Sequence, residues 1–236
     1  MARYSILIDG FNVYHSLQPD LQTYKWLDIG RLCKSFMRAN DTVVDIFYYT
    51  AFYPSHPPNP EKRKRHKTYL SALKHTGIVP VLSTFKRKER KCKECWSHYT
   101  GYEEKETDVN IAMEMFIQAF HDKADVLCVV SGDSDLAPAL TAVKKTFPEK
   151  RLMVIFPPRR ASRKLRKAAC PHPCISLKRE HIIANQFPDT IKGTDAKGRE
   201  ITICKPIEWK AETLKPKRRP PFLRRLRVAI RVLFTR

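Results

Sequence analysis

The sequence predicts an α/β fold in which a mainly parallel sheet of about five strands lies between two layers of helices. Short β-branched and aromatic runs alternate with segments of helical periodicity over roughly residues 1–185. Hydrophobic residues make up 42% of the chain, which is enough to form a core. The seven glycines are scattered and form neither a GxGxxG nor a Walker A pattern. Dinucleotide-binding oxidoreductases and P-loop hydrolases are therefore disfavoured.

The elements follow one another as a three-layer fold requires. Short apolar runs predict strands at residues 4–8, 43–50, 78–83, 126–131 and 151–155. Apolar residues at helical spacing predict helices at residues 29–37, 60–75, 107–121 and 134–145. Because a predicted helix lies between each strand and the next, the strands are expected to be parallel.

The chain is strongly basic, with 45 Lys and Arg against 24 Asp and Glu and a net charge of +21. Such an excess favours a polyanionic partner: nucleic acid, an acidic membrane surface or an acidic protein. Basic clusters lie next to predicted strand ends at residues 62–67, which include Arg63 and Arg65, and at residues 86–93 and 159–167. They are expected to contact RNA phosphates, and the alternative is a solvated basic face.

Seven cysteines, an odd number, occur in a chain that does not need disulfides for its core. With no signal-peptide pattern after the N-terminus, they predict a reducing cytoplasm. No apolar run is long enough for a transmembrane segment. Cys92 and Cys95 have the spacing of half a structural Zn²⁺ site, but four ligands are needed and no second half is adjacent. Free thiols or a site shared within a dimer are the alternatives.

The C-terminal region differs in composition from the predicted domain. Residues 186–210 lose clear periodicity and are interpreted as an extension of the domain, whereas residues 211–236 form a basic, proline-containing tail. Within that tail, residues 222–234 carry apolar side chains at helical spacing and predict an amphipathic helix. This helix is expected to dock on its own domain or on a second subunit of a homodimer. The alternative is an arm for a membrane surface or nucleic acid.

Acidic residues stand where a parallel sheet gathers its ligands. Asp9 follows the first predicted strand, Asp133 and Asp135 follow the fourth, and Asp108 lies at the start of a predicted helix. Each acid taken alone could be a helix cap. Taken together, they would repel one another unless a hard cation such as Mg²⁺ or Mn²⁺ were bound between them.

Three segments carry a family resemblance. Residues 8–12 (IDGFN), 104–110 (EKETDVN) and 131–135 (SGDSD) resemble, in order and approximate spacing, the signature segments of the NYN domain family. This family is the LabA/DUF88 branch of the PIN-like nuclease superfamily, and the resemblance extends over about residues 3–210. It implies a Rossmann-like PIN-type domain over residues 1–185 that binds a divalent metal and cleaves RNA. The implied catalytic and metal-binding residues are Asp9, Asp108, Asp133 and Asp135.

The resemblance also implies roles for residues beside these acids. Asn12 would be a neighbouring polar ligand or a substrate contact, Ser131 would support the site, and Lys105 would contact the substrate. One metal ion would lower the pKa of a bound water and place it in line with the phosphodiester. Two alternatives remain: an RNA-binding regulatory module without turnover, and an NADH-dependent hydroxylase of a pyridine compound, an activity attributed to some similar members.

Overall fold

The computed structural model describes residues 1–18, 20–52, 60–92, 94–194 and 198–210. Its centre is a seven-stranded sheet in the order β4-β3-β2-β1-β5-β6-β7, in which every neighbouring pair is parallel except β3 and β4. The predicted mainly parallel α/β fold is therefore confirmed. The strands are β1 (Arg3–Asp9), β2 (Thr42–Ala51), β3 (Val79–Lys91), β4 (His98–Lys105), β5 (Val126–Val130), β6 (Arg151–Phe156) and β7 (Cys174–Ser176).

Helices cover both faces of the sheet, which produces the three layers. Along β1, Ile6 and Ile8 belong to one hydrophobic cluster and Leu7 to the other, because successive side chains of a strand point to opposite faces. The helices are α1 (Gly10–Ser16), α2 (Ile29–Lys34), α3 (Pro60–His75), α4 (Thr107–Phe120), α5 (Ala137–Thr146), α6 (Arg163–Ala169) and α7 (Arg179–Ala184). The first cluster includes residues of α1, α2, α3 and α7, and the second includes residues of α4, α5 and α6.

The third strand differs from its prediction. The predicted strand at 78–83 continues to Lys91 and turns back as β4, which pairs antiparallel from Thr84 opposite Lys105 to Lys91 opposite His98. Most of the basic cluster at 86–93 therefore lies on a two-stranded hairpin. Helices α1, α6 and α7 and strand β7 also fall in segments for which no element was predicted.

The described residues of the range 186–210, which are 186–194 and 198–210, pack on the first core cluster. Strands β8 (Thr190–Thr194) and β9 (Glu200–Cys204) pair antiparallel. The ring of Trp209 packs against Tyr69 and Trp26, with ring centroids 6.0 and 6.2 Å apart. The basic tail at 211–236, with its predicted amphipathic helix, lies outside the described residues. In the described ranges, no helix combines the length and apolarity needed to cross a membrane. The cytoplasmic location stays a prediction.

Candidate active site

An open cleft lies at the carboxyl edge of the sheet, where the strand order changes direction. From β1 the sheet continues to β2 on one side and to β5 on the other, and such switch points are where ligands bind in open α/β sheets. The cleft has a volume of about 520 Å³. It is lined by Asp9, Phe11, Asn12, His15, Glu103, Lys105, Glu106, Thr107, Asp108, Val109, Asp133, Asp135 and Arg160.

Asp9 joins the ends of the two central strands. It is buried at the last position of β1, where Oδ1 accepts the Asn12 backbone N–H at 2.9 Å and Oδ2 accepts the Ser131 hydroxyl at 2.8 Å. Burial raises the pKa of Asp9, and the charge of Asp133 raises it further, while the hydrogen bonds from Asn12 and Ser131 lower it. Asp9 is thus both the N-cap of α1 and a wall of the cleft.

The segment after β5 is held by a short hydrogen-bond chain. The Asn12 side-chain oxygen accepts the Gly132 N–H at 3.0 Å, and the Ser131 hydroxyl accepts the Asp133 N–H at 3.0 Å. Asp133 in turn accepts the Asp135 N–H and caps the 3₁₀ turn Ser134–Leu136. Asn12 and Ser131 therefore fix the backbone that carries the two acids.

Asp108 lies in the first turn of α4. It is the second residue of α4, so it is not the N-cap that the alternative interpretation required. Burial and then the charges of Asp133, Asp9 and Asp135 raise the pKa of Asp108 to about 6. The four predicted aspartates therefore line one cleft and interact electrostatically across it.

Gly10 and Gly132 allow the close approaches on which this geometry depends. A Cβ at Gly132 would lie 1.9 Å from the carbonyl oxygen of Arg160, and a Cβ at Gly10 would lie 2.6 Å from that of Tyr49. Neither distance is compatible with a side chain. The signature glycines thus bring backbone segments together beside Asp9 and Asp133.

A family model describes most of this chain. The model of the NYN domain matches residues 3–173, a range that contains all four aspartates and six of the seven strands of the sheet, β1 to β6. This chain belongs to the NYN domain family. Since NYN is a PIN-like nuclease family, the resemblance carried by the three sequence segments is confirmed.

Two individual proteins are similar to this NYN domain. The 6-hydroxy-3-succinoylpyridine 3-monooxygenase HspA of Pseudomonas putida (strain DSM 28022 / S16) is 26% identical over 248 residues, covering 88% of this chain and 75% of that protein. A crystal structure of a protein of unknown function from Vibrio parahaemolyticus superposes with a TM-score of 0.51 and 19% identity. That match covers 76% of this chain and 94% of the other, and it supports the fold alone.

The donor set of the NYN cleft suits a hard divalent cation. Its potential ligands are carboxylate oxygens, which Mg²⁺ and Mn²⁺ prefer. Burial is the first cause of the raised pKa of Asp108, and the negative charges of the other three aspartates are the second. Within the described part of the chain, no three His, Cys, Asp or Glu residues are spaced to hold one metal ion. The cleft therefore fits Mg²⁺ or Mn²⁺ in its negative charge and in its type of donor atom.

Basic side chains meet the cleft from two elements. Lys105 enters from the end of β4, with its Nζ 3.1 Å from Glu103. Arg160 enters from the loop after β6, where the neighbouring Arg159 pairs with Asp20 at 2.7 Å and donates to the Ser16 carbonyl at 3.2 Å. Arg160 was expected to contact RNA phosphates as part of the basic cluster at 159–167, but it was not singled out as a residue of this cleft. Glu103 was not selected from the sequence.

Arg63 and Arg65, predicted to bind substrate, lie on α3 and are not among the described residues that line the cleft. The Arg63 guanidinium stands 5.8 Å from the centroid of the Phe52 ring, and Arg65 forms an ion pair with Glu208. Arg65 lines a second, neighbouring pocket.

Cys92 and Cys95 lie in the turn of the β3–β4 hairpin, away from the residues that line the cleft. Both are free thiols, and Cys95 Sγ is 3.0 Å from the Ser97 hydroxyl. That hydrogen bond is the main reason why the pKa of Cys95 is lowered to about 7. A third and a fourth ligand for Zn²⁺ are not found near them among the described residues. The Zn²⁺ site stays a prediction.

Proposed function

We propose that this NYN domain is a divalent-metal-dependent ribonuclease that hydrolyses RNA phosphodiester bonds in the cleft at the carboxyl edge of the sheet. The observation that carries the proposal is that four aspartates line one cleft, where burial and then the charges of Asp133, Asp9 and Asp135 raise the pKa of Asp108 to about 6. In a chain with a net charge of +21, mutually repelling carboxylates in one cleft favour a bound cation.

Within this proposal, each group has a distinct role. Asp9, Asp108, Asp133 and Asp135 would hold Mg²⁺ or Mn²⁺, which when bound supplies a Lewis acid that lowers the pKa of water. Asn12 and Ser131 are positioning residues, because they hold the backbone of Gly132 and Asp133. Lys105 and Arg160 would offset the phosphate charge of the substrate at the mouth of the cleft.

The decisive experiment compares wild type, Asp133→Asn and the control Glu149→Gln, an exposed acid outside the cleft. Labelled single-stranded and structured RNAs are incubated with Mn²⁺, Mg²⁺ or EDTA, and RNA binding is measured in parallel. Asp133→Asn is expected to lower cleavage by about 100-fold or more while keeping RNA affinity, and Glu149→Gln is expected to cleave normally. Equal cleavage by wild type and Asp133→Asn would reject the role of Asp133 and indicate a contaminating nuclease.

A second candidate is an RNA-binding regulatory module without turnover. It is favoured by the spacing of the acids, since no three potential metal ligands in the described chain are close enough to bind one ion. In that case wild type and Asp133→Asn would both bind RNA and leave it intact with either cation.

A third candidate is a hydroxylase of a pyridine compound, which is favoured only by the similarity to the Pseudomonas putida monooxygenase. Incubation of the purified chain with NADH and 6-hydroxy-3-succinoylpyridine in air tests it. Substrate-dependent NADH consumption would support this candidate over the ribonuclease.

A further inference from the structure

A second concavity lies directly beside the acidic cleft. The side chains of Phe11 and His15 line both, so the two spaces are neighbours across α1. The second pocket is bounded by α1, β2 and α3, and Trp209 also lines it. None of the four aspartates lines it, so it is a separate site rather than an extension of the proposed catalytic one.

The walls of this pocket are mostly carbon and rich in aromatic rings. Tyr48, Tyr69 and Trp209 line it, with ring centroids 5.9 Å apart for the first pair and 6.0 Å apart for the second. The Tyr69 hydroxyl donates to the Leu27 carbonyl at 2.8 Å, and the Tyr48 hydroxyl donates to the Gly10 carbonyl at 3.4 Å. Because these hydroxyls are engaged with backbone, the tyrosines offer the pocket mainly their rings.

Three cations stand in the same apolar pocket: Lys25, Lys62 and Arg65. Lys25 is the most buried of them, with 7% of its surface exposed, and its Nζ lies 3.9 Å from the centroid of the Tyr14 ring. In the part of the chain that the structure describes, Lys25 has neither an ion pair nor a hydrogen bond through its side chain. No Asp or Glu is found among the described residues that line the pocket.

The burial of Lys25 near Lys62 and Arg65 destabilises the ligand-free protein. Burial and then the charges of Arg65 and Lys62 lower the pKa of Lys25 to about 8, so the ammonium is still mostly protonated at pH 7. A buried cation among like charges is unfavourable unless an anion accompanies it. Arg65 forms an ion pair with Glu208, whereas no acidic side chain in the described part of the chain pairs with Lys25.

We propose that this pocket binds a planar aromatic ring that carries an anionic group, with the ring against the pocket-facing surface of Tyr48, Tyr69 and Trp209 and the anion at Lys25. Lys62 and Arg65 stand close enough to add to the positive potential there. Two sources supply this chemistry: a nucleotide unit of an RNA that enters the neighbouring cleft, and a free single-ring carboxylic acid.

Isothermal titration calorimetry of the full chain in EDTA tests the proposal, with quenching of tryptophan fluorescence as a second readout. The probes are uridine 5′-monophosphate for the nucleotide and nicotinate for the ring acid, with inorganic phosphate and uridine as controls. At least one ring-bearing anion is expected to bind with a dissociation constant of about 1 mM or lower. Phosphate and uridine are each expected to bind at least about tenfold more weakly, because each lacks half of the ligand. The tighter of the two ring-bearing anions identifies the source.

Two variants and one control test whether the ligand binds in this pocket. Lys25→Met is expected to weaken binding at least about tenfold and to raise the thermal midpoint of the free protein, because a buried cation is replaced by an apolar chain of similar length. If Lys25→Met does not fold, Lys62→Met serves as the second variant. Lys145→Met, at an exposed position of the last turn of α5, is expected to bind as wild type does.

Three results would overturn the proposal: binding of neither ring-bearing anion, phosphate binding as tight as that of uridine monophosphate, or equal loss in Lys145→Met. Since the titrations are done without metal or cleavage, they are independent of the proposed ribonuclease activity. A chain that cleaves RNA but binds neither probe would contradict only this inference.

Discussion

Asp108 is the residue at which the combined effect of burial and of repulsion within the cleft can be measured. Its pKa in the folded protein is about 6, above its ordinary value of 3.8. A carboxyl group whose pKa is raised in the folded protein stabilises the fold fully when the pH is below its ordinary pKa. This stabilisation is lost as the pH rises through 6. At neutral pH the ionised Asp108 is therefore expected to destabilise the metal-free protein.

We predict that Asp108→Asn raises the stability of the metal-free protein at pH 7 to 8. Near pH 4 the variant and wild type are expected to be equally stable. The gain is expected to be about 1 kcal/mol or less, because Asp108 is only partly buried and solvent screens its interactions. In a chain of this size that corresponds to about 2 to 4 °C in the thermal midpoint. Thermal unfolding in EDTA over this pH range is the measurement, with Glu149→Gln as control. An Asp108→Asn protein that is less stable than wild type at pH 7 would contradict the prediction.

Gly132 offers a test of the close approach between the segment after β5 and the loop after β6. We predict that Gly132→Ala lowers stability by about 1 to 3 kcal/mol, because its Cβ would meet the Arg160 backbone and one segment must move. Displacement of Asp133 or Arg160 is also expected to lower any cleavage activity at least about tenfold.

Gly101→Ala in β4 is the matched control for that substitution. Its added Cβ meets only the flexible side chain of Arg90, at 3.1 Å, so stability and cleavage are expected to change little. Denaturant unfolding and the RNA cleavage assay report on both variants. Equal effects at the two glycines would show that the approach to Arg160 is not what constrains Gly132.

At the scale of elements, the β3–β4 hairpin extends the cleft along one of its faces. Lys86 is directly opposite Glu103, and Lys88 forms an ion pair with Glu103 at 3.3 Å. Since cross-strand partners point to the same face, both lysines share the face of Glu103 and Lys105, two residues that line the cleft. Arg87 and Lys91 point to the other face.

We predict that Lys86→Gln with Lys88→Gln weakens RNA binding about tenfold, because two phosphate contacts next to the cleft are lost. The pair Arg87→Gln with Lys91→Gln removes the same charge from the opposite face and is expected to weaken binding much less. Titration of labelled RNA at one fixed salt concentration compares the pairs. Equal losses would indicate a general effect of net charge rather than a path along one face.

This hairpin also shows where prediction from the sequence ends. Strand β5 was predictable because all five of its residues are buried and form a continuous apolar run. Residues 86–91 are charged and exposed, so no pattern of burial indicates that they belong to a strand. Asp9 and Asp133 could be assigned to one edge from strand ends alone. Glu103 and Arg160 could not, because the hairpin register and a loop contact bring them there.

At the scale of the whole molecule, an acidic cleft is set in a strongly basic chain. Residues 211–236 alone contain nine Lys and Arg and one Glu, so they contribute +8 of the net charge of +21. A polyanion would be attracted by the molecule as a whole and repelled by the cleft unless a cation neutralised the aspartates. Affinity and cleavage should therefore depend on ionic conditions in different ways.

We predict that RNA affinity of the full chain falls steeply with monovalent salt, whether or not a divalent cation is present. If the described basic residues and the tail make about three to six phosphate contacts, a plot of log affinity against log salt has a slope of about −2 to −4 for single-stranded RNA. A chain that ends at residue 210 separates the two contributions, since a smaller slope would assign the missing contacts to the tail. Binding that stays constant between low and physiological salt would contradict a nucleic-acid partner. With EDTA the slope is expected to persist while cleavage disappears, because phosphate contacts need only the basic side chains and cleavage needs the aspartates with their cation.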